Sequence, residues 1–245
     1  MSDGTEHAGD RGYLTRYAGL PQVGWSGASL AIGFLVLIGA LSVGLTVVSA
    51  IDPGTETPGE LIALQFVFTI ALGGTALALA LLDADGDLRG ALRRLGLRRV
   101  ALSMLGLAAL AWLAYSIVAA TAGSLLDPDQ DPITDKLGTD EGSALSVAIT
   151  AILVIPAAAL SEELFFRGFM FGTIRNMGAS LWPAAVITSV VWASLHLSGG
   201  NLGVVAILAA FGIVLAWLYE RSGSLWVPIA AHALNNTVAF ILLLN

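Results

Sequence analysis

Six residues in the second half of this chain have types and spacings that could do chemistry: Glu162, Glu163, Arg167, His196, His232 and Asn236. The first three lie in the run "SEELFFRGFMFG", where three charges interrupt otherwise apolar sequence. A carboxylate and an imidazole together can hold a water molecule and take its proton, which readies hydroxide for attack on a carbonyl. A second histidine and an asparagine amide can donate hydrogen bonds to the oxyanion that forms. No serine, threonine or cysteine is needed as a nucleophile, so hydrolysis of a peptide bond by activated water is the natural reaction class. The chain has no cysteine, which excludes disulfides and thiolate chemistry.

The spacing assigns parts of this set. Glu163 and Arg167 stand four apart with the acid first, the favourable order for an ion pair on one helix face. Glu162 is about 100° further round and is left available for other work. Of the three histidines, His7 lies in a polar tail, while His196 ends "VVWASLHL" and His232 opens "HALNN", both in apolar segments. Trp192 precedes His196 by one helical turn, and Asn236 follows His232 by one turn. Glu162, His196 and His232 are also the residue types of a His/His/Glu zinc site with an open position for water. The HExxH spacing is absent, and whether a metal such as zinc is required stays open at this level, with the balance toward a metal-free glutamate and histidine pair.

These residues must be held by membrane helices. Of 245 residues 56% are hydrophobic and only 12% charged, and the mean hydropathy is +0.83. Such a composition is too apolar for a water-soluble domain of this size. Uncharged runs of the roughly 20 residues that a bilayer core demands cover 26–51, 61–82, 100–126 and 142–161. An apolar region then runs from 176 to the end, broken by "SGGN" at 198–201 and "ERSGS" at 220–224. The expected fold class is all-α: a polytopic transmembrane bundle of about seven to eight helices with an intramembrane catalytic cavity. Nothing shows the alternation of a membrane β-barrel. A polar tail is expected over 1–24, N-terminal transmembrane helices over 25–140 and a catalytic core over 141–245, within one membrane domain. The tail lacks the apolar core of a signal peptide.

Each charge at mid-membrane costs about 2.5–3.5 kcal/mol, so an unpaired trio there would be selected against. The catalytic set can meet only if the fourth long helix continues from about residue 144 to 172 and "SGGN" is a break or tight turn inside the protein. Ten of the eleven cations fall on one side of a seven-span arrangement, five of them in "DADGDLRGALRRLGLRR", and the positive-inside rule makes that side the cytoplasm. A multi-pass cell-membrane protein with a cytoplasmic N-terminus follows. The net charge of -7 resides in the tail and in acidic stretches such as "DPDQDPITDKLGTDEG", which disfavours nucleic acid as a partner.

The motifs "EELFFR", "WASLH" and "HALNN", in that order, resemble the EExxxR, FxxxH and HxxxN blocks of the CAAX-protease family, also called CPBP or Abi, which includes the type II CAAX prenyl endopeptidases. Trp192 stands where the family pattern prefers phenylalanine, which keeps a large aromatic one turn before the histidine. The resemblance covers roughly 143–243. It implies that Glu162 and His196 activate water, that His232 and Asn236 form the oxyanion site, and that Glu163 and Arg167 hold the motif helix in shape with Trp192 beside them. The implied partners are the bilayer and a membrane-associated peptide or lipidated protein, with prenylated CAAX sequences one class of substrate. Family members have been assigned both metalloprotease and glutamate mechanisms. Two other functions share the same features: a non-catalytic immunity or assembly protein, and a proton-coupled transporter. The transporter is disfavoured because its repeated halves are not visible here.

Overall fold

A computed structural model of the chain describes residues 19–51, 58–126, 144–197 and 201–244. Among these residues every regular element is helical. The helices are α1 (Gly27–Ile51), α2 (Pro58–Asp83), α3 (Leu88–Arg94), α4 (Leu102–Leu126), α5 (Ala144–Asn176), α6 (Leu181–Ser194), α7 (Leu202–Ser222) and α8 (Trp226–Leu243). Five of them (α1, α2, α4, α5 and α7) are long and apolar enough to cross a membrane, and α6 and α8 are shorter apolar helices. The chain is a multi-pass membrane protein of helical-bundle class. Residues 1–18 of the tail expected at 1–24, the acidic stretch at 127–143 and residues 198–200 of "SGGN" lie outside the described residues.

The helix limits follow from the solvent. In hydrocarbon the backbone must bond to itself, so a helix persists as long as its side chains suit lipid. The outward surfaces are accordingly apolar: Leu35, Leu110, Ile117 and Leu145 are all exposed. The inward surfaces are small or aromatic. On α2 and just past its end, Ala76, Ala80 and Ala84 recur every fourth residue and are buried, which permits close helix approach where lipid offers no hydrophobic drive for association.

α5 is the central element. It packs against α2 on one side and against α6, α7 and α8 on the other. Its 33 residues would span roughly 50 Å at the α-helical rise, well beyond a hydrocarbon core of about 30 Å. It is not a uniform α-helix. The turns widen to π-type hydrogen bonding over Leu153–Ala157, around Pro156, and again over Glu163–Phe171. A proline inside a helix removes a backbone donor and forces such an adjustment. The helix therefore continues past the end of the uncharged run at 161 to Asn176, and every residue of Glu163–Phe171 is buried. The arginine-rich segment, which carried no helix expectation, contains α3. Asp87 caps it by accepting from the Arg89 and Gly90 amides, as an N-terminal aspartate should.

One end of the bundle is laced by polar contacts. Arg175 of α5 pairs with Glu220 of α7, its Nε donating to Oε2 at 2.9 Å. Asn176 donates to the carbonyls of Val23 and Trp25, and Arg94 pairs with Asp83 at the end of α2. Ser224, between α7 and α8, donates to the Arg98 carbonyl at 2.7 Å. The Arg175 side chain is 5% exposed, and removing one partner of a buried pair strands the other. Arg175→Ala is expected to cost about 3 kcal/mol of stability, read as a lower thermal unfolding temperature of the detergent-solubilised protein; an unchanged temperature would show that the pair does not hold this end together.

Candidate active site

Arg167 and Glu163 are both fully buried near the middle of α5, and Arg167 Nη1 donates to Glu163 Oε1 at 2.9 Å. The predicted i,i+4 pair is present. Arg167 Nη2 also donates to the Gly212 carbonyl of α7 at 3.2 Å, which requires α7 to come close. A Cβ at Gly212 would lie 2.7 Å from Ser189 Oγ and 3.0 Å from Arg167 Nη2. Only glycine leaves room for the guanidinium between these helices.

The same carboxylate oxygen meets a third group. Glu163 Oε1 lies 3.0 Å from His232 Nδ1 of α8. With Oε1 accepting, Nδ1 carries the proton and donates, and Nε2 is turned the other way. Nε2 faces Glu162 Oε2 at 3.8 Å. The two adjacent glutamates thus flank one imidazole, Glu163 on its Nδ1 side and Glu162 on its Nε2 side. Glu163 Oε2 and Arg167 Nε, both buried, find no hydrogen-bond partner among the described residues, so charge is paired while hydrogen bonding is not saturated.

Glu162 is better placed for reaction than Glu163. Its side chain is 15% exposed against 0%. Its Oε2 accepts a hydrogen bond from the Trp192 indole Nε1 at 2.5 Å. Trp192 sits on α6, and its ring is covered by the Arg167 guanidinium 4.8 Å from the ring centroid. The motif reading placed Trp192 here for its bulk and missed the hydrogen bond. The available signal was chemical: a buried indole N–H seeks an acceptor, and a phenylalanine has none to offer.

His196 lies just beyond the end of α6, half-buried, with Nδ1 3.3 Å from the Trp192 carbonyl. Its ring centroid is 5.2 Å from that of Trp192. It therefore belongs to the same cluster through the tryptophan, while the imidazole standing against Glu162 is that of His232. Asn236, one turn along α8, directs Nδ2 to the Val154 carbonyl at 2.8 Å, within the first widened stretch of α5. Trp112 of α4 donates to Asn235 Oδ1 at 3.3 Å on the same helix. Among the described residues no three His, Asp or Glu side chains are gathered closely enough to hold a metal ion. The candidate set of Glu162, His196 and His232 does not fit a zinc site as it stands. Two apolar grooves, of about 350 Å³ between α2 and α5 and about 460 Å³ between α1 and α2, include none of the motif residues.

All three motifs thus converge from α5, α6 and α8 on one buried cluster, in a segment that can be compared with known proteins. Residues 144–238 match the Rce1-like family. The family model is described as type II CAAX prenyl endopeptidase Rce1-like, and its match begins at the start of α5 and ends two residues after Asn236. The resemblance read from three short blocks is borne out over the whole segment that carries them. The chain is 30% identical over 120 residues to the "Uncharacterized 24.3 kDa protein" of Escherichia coli, covering 49% of this chain and 55% of that one. It is 30% identical over 100 residues to the "Putative membrane peptidase YdiL" of Bacillus subtilis, covering 41% and 39%. It is 28% identical over 91 residues to the "Uncharacterized protein YyaK" of the same species, covering 35% and 30%. The chain thus spans about half or less of the length of these curated relatives. No solved structure matches the chain.

The close approach at Gly212 gives a test of the site's packing. Gly212→Val is expected to destabilise the protein by about 1–3 kcal/mol through overpacking, seen as a lower unfolding temperature in detergent. A variant as stable as the parent would show that α6 and α7 have slack at the arginine.

Proposed function

We propose that the chain is an intramembrane endopeptidase that hydrolyses a peptide bond of a membrane-associated substrate, with Glu162 as the base. The single observation that carries this reading is the Glu162 carboxylate, partly accessible, fixed by Trp192 and faced at 3.8 Å by a histidine that Glu163 orients. A water within hydrogen-bond reach of both Glu162 and His232 Nε2 closes a triangle with that 3.8 Å separation. Glu162 takes a proton from this water as the oxygen attacks the peptide carbonyl. The carbonyl oxygen gains the negative charge, and the protonated Glu162 then returns the proton to the leaving amine.

The two histidines divide the remaining work. In the arrangement the family resemblance implies, His196 shares the water and His232 with Asn236 receives the oxyanion. The approach of His232 to Glu162 favours the exchanged assignment, in which His232 shares the water and the half-buried His196 donates to the oxyanion. Asn236 keeps α8 in register with α5 through Val154 and has a second amide proton for the same oxyanion. The substrate class follows from the setting: a peptide carried to the bilayer by its own apolar segment or by a lipid, for which the prenyl-endopeptidase description of the matched family makes a prenylated peptide the natural first probe.

The orientation proposed is a cytoplasmic N-terminus. It is supported by the basic residues at the end of the bundle where residue 19 lies: Arg98 donates to the Gly19 carbonyl and its own carbonyl accepts from Ser224, Arg94 pairs with Asp83, and Asn176, next to Arg175, donates to the Val23 and Trp25 carbonyls.

Purified protein in detergent is expected to cleave a quenched fluorescent prenylated peptide, and Glu162→Gln to lower the rate by about 10²- to 10⁴-fold with an unchanged unfolding temperature. Cleavage at the parental rate by Glu162→Gln would remove Glu162 as the base. Absence of cleavage by the parent across prenylated, acylated and unmodified membrane peptides would overturn the protease reading.

A further inference from the structure

Trp192 touches more of this cluster than any bulk-filling role requires. It is 1% exposed. Its N–H reaches Glu162 Oε2, its ring lies under the Arg167 guanidinium, and its carbonyl receives His196 Nδ1 at 3.3 Å. The ring of His232 meets it edge-on, with centroids 5.5 Å apart and an interplanar angle of 82°. One residue thus contacts the proposed base, both histidines and the structural cation.

We infer that Trp192 is the positioning residue for Glu162: its indole N–H fixes Oε2 beside His232 Nε2, where the shared water gives up its proton. The inference rests on the endopeptidase reading and goes beyond it. The terminal torsion of a glutamate is broad, so an unanchored carboxylate turns readily. An indole N–H is a donor only and has no alternative state. Oε2, held by that donor 3.8 Å from His232 Nε2, keeps lone-pair capacity to take a proton from the water between them. The 15% exposure of the Glu162 side chain leaves access for that water. Arg167, stacked on the ring face, fixes the plane of the indole, and the Glu163 pair fixes Arg167. The order thus passes from the buried ion pair through the tryptophan to the base.

A phenylalanine at this position keeps an aromatic face under Arg167 and an edge toward His232 but offers no N–H. Trp192→Phe therefore isolates the hydrogen bond. With a prenylated quenched peptide it is expected to lower kcat about tenfold or more while KM stays within about twofold, because the interaction orients a reacting group rather than binding substrate. The unfolding temperature should stay close to that of the parent. A parental kcat, or a rise in KM alone, would overturn the assignment. A second measurement needs neither activity nor a folded Trp192 variant. In ¹⁵N-labelled protein in detergent, the indole N–H resonance of Trp192 is expected to lie downfield as a donor to a carboxylate and to move upfield in Glu162→Ala. A resonance that does not respond to Glu162→Ala would show that the hydrogen bond is absent in solution and sink the inference. If the parent cleaves nothing but the resonance responds, the endopeptidase reading fails while the contact stands, and the assignment of a catalytic positioning role falls with that reading. The two failures are therefore distinguishable.

Discussion

The buried pair between Arg167 and Glu163 is the constraint on which the rest of the structure depends. Neither group has any exposed surface, and charges so placed in a membrane protein are tolerated only when paired and enclosed by protein. Satisfying the guanidinium takes three elements: Glu163 from its own helix, the Gly212 carbonyl from α7 and the Trp192 ring from α6. Satisfying Glu163 brings in His232 from α8. Four helices are drawn to one point by the need to neutralise one arginine. The carboxylate next door, Glu162, enters the same enclosure without being consumed by it, because its helix position turns it to the opposite side of the His232 ring.

This arrangement accounts for the irregularity of α5. A straight α-helix through Pro156 would need a backbone donor that proline lacks. The widened turn around it leaves the Val154 carbonyl to accept from Asn236, so the defect becomes a tie to α8. The second widened stretch begins at Glu163 and carries nine consecutive buried residues. Widened turns inside α-helices recur at functional sites, and here both adjoin the groups proposed to handle water and oxyanion. The aromatic residues Phe165, Phe166 and Phe169 on the same stretch pack among themselves and against Phe34 and Trp25, filling the space toward α1.

Most of the fold was legible because lipid imposes a simple code. The runs expected at 26–51, 61–82 and 100–126 differ from the observed α1, α2 and α4 by three residues or fewer at either end. The code fails where charge enters: read by its uncharged run alone, α5 stops near 161, and the requirement that the motif residues meet carries it onward to about 172, four residues short of the observed end at Asn176. In the cluster, the pairing of Glu163 with Arg167 was readable from an i,i+4 spacing, which is local. The identity of the histidine beside Glu162 was not, since it depends on how α6 and α8 tilt against α5. The indole hydrogen bond was hidden for a different reason. An aromatic in an apolar run reads as packing unless the requirement of its one polar atom is followed to an acceptor.

The segment that matches the family, 144–238, is not structurally self-sufficient. His232 and Asn236 ride on α8, and α8 is held from outside the segment: Trp112 of α4 donates to Asn235, and the Leu225 amide just before α8 donates to the Gly96 carbonyl at 2.8 Å. Tyr115 of α4 reaches the Ile207 carbonyl of α7 and stacks on Phe211, whose ring in turn meets His232 edge-on. On the other side, α2 lies so close to α5 that a Cβ at Gly73 would stand 3.3 Å from the Ser161 Cβ, one residue before Glu162. The family signature therefore marks where the proposed reacting groups are. Their geometry also depends on α2, α4 and the loop after α3, which a search for the three motifs passes over.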